Sequence, residues 1–161
     1  MGLDAKQVRM LGRVALAMLL GAIIGFEREL EDKPAGLRTH MLVSGAAALF
    51  VTLADVVVGS MNAQLGSGLV RSDPIRIIEA VVTGVSFLGA GTIVLHKREQ
   101  QVEGLTTAAS ILFTAAVGVC VALTQGMLAV GATGLALVTL RGVGLLESWL
   151  ARRRSRLRQN G

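Results

Sequence analysis

The stretch GAIIGFERELEDKPAGLRTHMLVSGAAA, residues 21–48, decides how the rest of the chain is organised. An apolar segment ends at Phe26, a run dense in charge extends from Glu27 to His40, and a second apolar segment follows. Eight of the fourteen residues in the charged run are ionisable, and the run also holds a proline and a glycine. The pattern predicts a charged turn between two membrane-spanning helices.

The composition favours a membrane protein over a soluble one. The chain has 161 residues, which predicts one domain, and it is 52% hydrophobic and 17% charged with 20 glycines. Its net charge of +5 does not indicate nucleic-acid binding, because five arginines fall in the last ten residues and few aromatic residues are available for stacking on bases. We therefore expect the lipid bilayer, and no nucleic acid, among its partners.

Five segments are apolar over about the 20 residues that a membrane-spanning helix needs. They run from about Met10 to Phe26, Thr39 to Met61, Ile75 to Leu95, Leu105 to Leu123 and Met127 to Leu146. Asp73 followed by Pro74 predicts the start of the third helix. Residues 62–72 have the composition of a loop, and Thr124-Gln125-Gly126 divides the last two helices. The sequence predicts an all-α, polytopic membrane protein, with a five-helix transmembrane domain over residues 1–150 and a basic, disordered tail over residues 151–161.

The distribution of basic residues predicts the orientation in the membrane. With the C-terminus inside, ten lysines and arginines fall on the inner side and five on the outer side. The N-terminus is therefore predicted outside and the C-terminus in the cytoplasm. The tail is then placed to contact anionic lipid at the inner leaflet.

This topology brings three segments that are distant in sequence to one cytoplasmic face. The charged turn meets the inner half of the third helix and the start of the fourth. The candidate partner or ligand site contains Glu27, Arg28, Lys33, Pro34, Gly36, Arg38, Thr39, Gly89, Gly91, Thr92, Gly104, Thr106 and Thr107. Helix packing alone accounts for the glycines. For the charges, three roles remain open: holding a cation, holding a phosphate-bearing partner, or locking the helices by ion pairs.

Asp55, Arg76 and Glu79 form a second candidate group, at membrane depth toward the outer side. Leaving such residues unpaired in a membrane is costly, so each is a candidate for a functional role. Either Asp55 pairs with Arg76 as a structural salt bridge, or Asp55 and Glu79 form a site for a divalent cation or a proton. The sequence leaves open whether any metal binds.

The chemistry-bearing motifs of enzymes are missing from the sequence. It contains no Walker A pattern. With only two histidines and one cysteine, the chain does not show the pattern of a zinc site or of a Cys-His nucleophile. Cys120 lies in an apolar run and is interpreted as a packing residue. We expect a protein that is not an enzyme and has no cofactor.

Four sequence blocks together resemble the transmembrane domain of the MgtC/SapB family. They are Gly21-x-x-x-Gly25-x-Glu27-Arg28, then residues 33–40 (KPAGLRTH), then residues 84–91 (GVSFLGAG), then residues 104–110 (GLTTAAS). The blocks come in the family's order, and the resemblance covers roughly residues 10–146. Two features depart from MgtC itself: the chain has the short, SapB-like form, and Glu103 stands where a basic residue is common.

The resemblance implies a multi-pass protein of the bacterial inner membrane that regulates rather than catalyses. It links the chain to magnesium homeostasis under magnesium limitation and to virulence through survival inside host cells. The implied partners are a membrane protein resembling the ATP synthase, whose activity would be modulated, and a second copy in a homodimer or other homo-oligomer. The alternative function is a transporter or channel for Mg²⁺ or protons that uses the intramembrane acidic residues.

Overall fold

The computed structural model describes residues 4–65, 73–95 and 104–142, and all regular structure in these ranges is helical. The helices are α1 (Ala5–Leu30), α2 (Leu37–Leu65), α3 (Pro74–Leu95), α4 (Leu105–Ala122) and α5 (Gly126–Leu137), and a π-helical turn, Val138–Gly142, continues α5. The first four are long and apolar enough to cross a membrane, and the fifth is shorter. The all-α prediction and the five helices are thus confirmed, whereas five membrane spans and the orientation of the termini stay predictions.

Local signals in the sequence explain where the helices begin. The backbone N–H of Ile75 donates to Asp73 Oδ1 over 3.1 Å, so Asp73 caps α3 as predicted. The backbone N–H of Leu37 donates to Glu29 Oε2 over 2.9 Å, so a carboxylate on α1 caps α2. Gly104 has a φ of 99°, a conformation that favours glycine, directly before α4.

Two helices end in the same kind of C-terminal motif. At the end of α1, Asp32 has a φ of 52°, and the N–H of Lys33 donates to the carbonyl of Arg28 over 3.0 Å. At the end of α4, Thr124 has a φ of 61°, and the N–H of Gln125 donates to the carbonyl of Cys120 over 2.9 Å. A left-handed residue with this six-residue hydrogen bond closes a helix and reverses the chain. The predicted break at residues 124–126 is therefore confirmed.

Helix α4 lies at the centre of the bundle and contacts each of the other four helices. Its buried face includes Ile111, Val117 and Val121, which pack with Ala17 and Ile24 of α1 in the hydrophobic core. The opposite ends of the bundle are tied by contacts of their own. At one end Arg13 Nη1 donates to the carbonyl of Ala122 over 3.3 Å. At the other end the turn between α1 and α2 meets the start of α4.

The helices are longer around the charged run than predicted. Helix α1 extends to Leu30 and α2 begins at Leu37, so only residues 31–36 of the predicted fourteen-residue turn lie outside a helix. The predicted loop at residues 62–72 is helical up to Leu65. Its remainder, the 96–103 connection with Glu103, the end of the fifth predicted helix and the basic tail lie outside the described residues.

Candidate functional site

A buried ion pair closes the end of α1. Arg28 Nε lies 2.6 Å from Glu27 Oε2, and Arg28 Nη2 lies 2.8 Å from Glu27 Oε1. Both side chains are only 4% exposed. Such a two-point contact between guanidinium and carboxylate is among the strongest pairings available to side chains. The pair joins neighbouring residues of α1, so it neutralises both charges inside the bundle but does not itself link two helices, and the third role foreseen for the charges stays a prediction.

His40 links the start of α2 to α4. Its side chain is fully buried, with Nδ1 2.9 Å from the carbonyl oxygen of Gly36 and Nε2 3.0 Å from Ser110 Oγ. Because a carbonyl only accepts, Nδ1 carries the hydrogen and donates. In the neutral ring Nε2 is then the acceptor and the Ser110 hydroxyl donates to it. The same hydroxyl lies 2.8 Å from the carbonyl of Thr107, a second acceptor for its one hydrogen.

Glycine allows the backbones of α1 and α2 to approach beside this hydrogen-bond network. A Cβ at Gly25 would lie 2.8 Å from the Cα of Leu37 and 2.9 Å from the Cβ of His40. A Cβ at Gly21 would lie 2.5 Å from the backbone oxygen of His40. The GxxxG spacing in residues 21–25 therefore acts as a packing motif that seats His40 against α1.

The end of α3 also reaches this part of the molecule. A Cβ at Gly89 would lie 3.3 Å from the Cβ of Ala108, and one at Gly104 would lie 3.0 Å from the carbonyl oxygen of Thr92. Thr92 Oγ1 donates to the carbonyl of Gly89 over 2.7 Å. Gly91 is different, because it is exposed and a Cβ there would meet no atom within 4 Å. The structure thus brings the three predicted segments together but leaves Gly91 on the outside.

The predicted site divides into a buried part and an exposed part. Glu27, Arg28, Gly89 and Thr107 are buried, and Gly36, Thr39, Thr92 and Gly104 are half-buried. Lys33, Pro34, Arg38 and Thr106 are exposed. Among the described residues, the cations of Lys33 and Arg38 have no ion pair. The acids Glu29, Glu31 and Asp32 are exposed at the same turn, so a partner at this end of the bundle meets charges of both signs, Lys33 and Arg38 among them. The role of all these residues stays a prediction.

Sequence reasoning left three residues out of the site. His40 and Ser110 are the last residues of two of the quoted blocks. The signal that could have found them is a polar side chain on an otherwise apolar helix. Glu29, one of several acids in the charged run, was not distinguished from its neighbours, although it caps α2. Its role depends on the turn geometry, which places Glu29 against an N-terminus eight residues later.

The second candidate group does not form the ion pair that the sequence offered for it. Arg76 Nε lies 3.5 Å from Asp73 Oδ2, and this is its only ion pair within the described ranges, so the predicted Asp55–Arg76 salt bridge is not formed. Asp55 and Glu79 are both exposed. Among the described residues, no three His, Cys, Asp or Glu side chains lie together in a way that can hold a metal ion.

The geometry and the quoted blocks agree with one family model, the MgtC family, which matches residues 14–149. The chain belongs to the MgtC family. It is 38% identical to SrpB of Synechococcus elongatus over 153 residues, which is 90% of this chain and 81% of that protein. It is also 36% identical to an uncharacterized protein of Haemophilus influenzae over 146 residues, 91% of this chain and 60% of that protein.

A third relative bears a functional name. YhiD of Escherichia coli, whose name proposes it as a magnesium transporter, is 42% identical over 122 residues, 76% of this chain and 54% of YhiD. The chain therefore spans only about half to three fifths of the length of two of these relatives. No solved structure matches the chain. Family and apolar helices together make this a membrane protein.

Proposed function

We propose that the chain is a non-enzymatic regulatory protein of the bacterial inner membrane, which acts by contacting a partner through the α1–α2 turn. The single observation that carries the proposal is the division of charges at this turn. Glu27 and Arg28 satisfy each other inside the bundle, whereas Lys33 and Arg38 are exposed without an ion pair in the described structure. Charged groups of that kind steer and orient protein–protein encounters.

The buried network supports the proposal by fixing the turn. The Glu29 cap, the His40–Ser110 hydrogen bond and the close approach at Gly25 hold the turn against α1 and α4. A rigid turn loses little conformational entropy on binding, which favours a specific contact. The family resemblance adds the context of magnesium limitation and names a membrane ATPase or a second copy of the chain as partners to test.

Affinity purification from native membranes tests this function. We expect the full chain to retain a membrane-protein partner or a larger oligomer, and Arg38→Ala to lower the recovery of that species. Arg9→Ala is the matched control, because Arg9 is an exposed arginine near the other end of α1. Identical partners and identical oligomer size for the wild type and Arg38→Ala would contradict the proposal.

A second candidate function is cation transport, which the name of YhiD favours. In this chain it would use Asp55, an exposed carboxylate on α2 that follows the buried Val51 and Thr52 on the same helix face. Reconstitution in vesicles distinguishes the two functions. Transport predicts a flux of Mg²⁺ or protons that falls in Asp55→Asn, whereas vesicles without flux for protons and a range of divalent ions would contradict it.

A further inference from the structure

A long groove lies between α2 and α3 on the outside of the bundle. Its volume is about 670 Å³, and it is lined on α2 from Leu42 to Phe50 and on α3 from Arg76 to Leu88. Along α3, the rise from Arg76 to Leu88 is roughly 18 Å, which is a large part of the hydrocarbon thickness of a bilayer. The groove exists because α3 packs mainly on α4 and only sparsely on α2.

Small side chains keep this groove open. Ala46 on α2 and Ala80 and Gly84 on α3 line it, and a Cβ at Gly84 would meet no atom within 4 Å. Apart from Arg76, every lining residue is apolar. A space of this size without polar partners does not hold ordered water, so hydrocarbon fills it in a membrane.

Arg76 marks one end of the groove. It lies in the first turn of α3, where a helix in a bilayer meets the headgroups, and its side chain is 84% exposed. Its contact with Asp73, itself 52% exposed, is 3.5 Å long, and such exposed pairs are weak. A guanidinium has five N–H donors, so most of them remain available for phosphate oxygens, which arginine binds with two parallel hydrogen bonds.

The size and apolar lining of the groove suit an acyl chain. An extended hydrocarbon chain is roughly 4 to 5 Å across at ordinary carbon contact distances and takes roughly 300 Å³ over a length of roughly 18 Å. The volume accordingly fits one or two acyl chains lying along α3.

We propose that this groove binds a membrane phospholipid, with its acyl chains between α2 and α3 and its phosphate on Arg76. The site is separate from the α1–α2 turn, because none of the residues that line it belongs to the turn. A bound lipid would fill the space between α2 and α3 and stabilise the position of α3, which is the least buried of the four long helices.

Native mass spectrometry of the full chain in mild detergent tests the proposal with two probes that share the same acyl chains, phosphatidylglycerol and diacylglycerol. We expect wild type to retain phosphatidylglycerol and to bind diacylglycerol more weakly. Arg76→Gln removes hydrogen bonds to a charged group and should weaken phosphatidylglycerol binding about tenfold or more. Gly84→Leu fills the groove from an open position and should weaken the binding of both lipids.

Two variants serve as matched controls. Arg9→Gln removes an exposed arginine elsewhere, and Gly59→Leu adds the same side chain at an open, exposed glycine of α2 outside the groove. Both should bind lipid like the wild type, and equal melting temperatures for Gly84→Leu and Gly59→Leu would show that the groove variant is folded.

Each contrary result overturns a stated part of the proposal. Unchanged lipid binding in Gly84→Leu would contradict the placement of the lipid in the groove. Unchanged phosphatidylglycerol binding in Arg76→Gln, or equal retention of the two lipids, would contradict the phosphate contact. Loss of a cross-linked dimer in Gly84→Leu, with lipid binding intact, would assign the groove to a second copy and overturn the lipid site.

Discussion

Glu27 and Arg28 are buried to 3% and 4% exposure, and each finds its counter-charge in the neighbouring residue. Glu27→Gln would leave the Arg28 guanidinium buried without a carboxylate, so we expect a loss of about 3–5 kcal/mol in the free energy of unfolding. Thermal and denaturant unfolding in detergent measure this loss. Glu31→Gln is the control, because Glu31 is exposed in the same turn and should change stability little.

The double variant Glu27→Leu/Arg28→Met separates the cost of an unpaired charge from the contribution of the pair. It removes both charges at similar volume, so its stability should lie much closer to wild type than that of Glu27→Gln. Equal destabilisation of the single and double variants would contradict this account, because the loss would then come from shape rather than from charge.

Ser44 presents the opposite case among buried polar residues. Its side chain is fully buried, and in the described part of the chain its Oγ is the one buried side-chain polar atom without a hydrogen-bond partner. Removing an unsatisfied hydroxyl recovers its desolvation cost, so Ser44→Ala should be neutral or stabilising by up to about 1–3 kcal/mol. Ser110→Ala is the comparison, since it deletes the hydrogen bond to His40 and should destabilise the protein. A lower free energy of unfolding for Ser44→Ala would contradict this prediction, because it would mean that the Ser44 hydroxyl makes a stabilising hydrogen bond.

At the scale of the helices, periodicity and composition were enough to place all five elements, because long apolar segments separated by polar breaks have few alternatives in a membrane. The boundaries around the charged run were wrong. Composition treats Glu27 and Arg28 as turn residues, but mutual pairing allows them to remain in α1 and be buried. The Asp55–Arg76 pair is not formed, and Arg76 instead lies 3.5 Å from Asp73, three residues away in the chain.

Close contacts between the helices depend on particular glycines. The sequence alone does not show which glycines these are. A Cβ at Gly118 of α4 would collide with the carbonyl oxygen of Ser44, whereas Gly12 and Gly131 have no atom within 4 Å of that position. Backbone cannot yield as a flexible side chain can, so α2 and α4 would have to separate. The 20 glycines look alike in the sequence, and the close approach of two backbones distinguishes the structural ones.

This difference predicts unequal effects of the same substitution. Gly118→Ala should lower the free energy of unfolding by about 1–3 kcal/mol, as overpacking of a tight contact does. Gly12→Ala and Gly131→Ala should be neutral or slightly stabilising, because alanine has the higher helix propensity. Unfolding of the three variants under one set of conditions tests this, and equal stability across the three would contradict the proposed α2–α4 contact.

At the scale of the whole molecule, the placement of the α1–α2 turn in the cytoplasm depends on the distribution of basic residues. Lys33 lies in that turn and Gln125 in the α4–α5 turn, and both are exposed at opposite ends of the bundle. Helix α4 begins beside the first turn and ends at the second, so the two turns must lie on opposite sides of a membrane that α4 spans. Labelling of cysteines at these positions therefore measures the orientation of the whole bundle.

The prediction uses a background in which the single cysteine is replaced, Cys120→Ala, and adds either Lys33→Cys or Gln125→Cys. A membrane-impermeant maleimide should label Gln125→Cys in intact spheroplasts and Lys33→Cys only in inverted vesicles, because ten basic residues favour the inner side over five. The reverse pattern would place Lys33 and Arg38 outside the cell and would contradict a cytoplasmic partner. Labelling of both positions from one side would contradict a membrane-spanning α4. It would also contradict the placement of the two turns on opposite sides of the membrane.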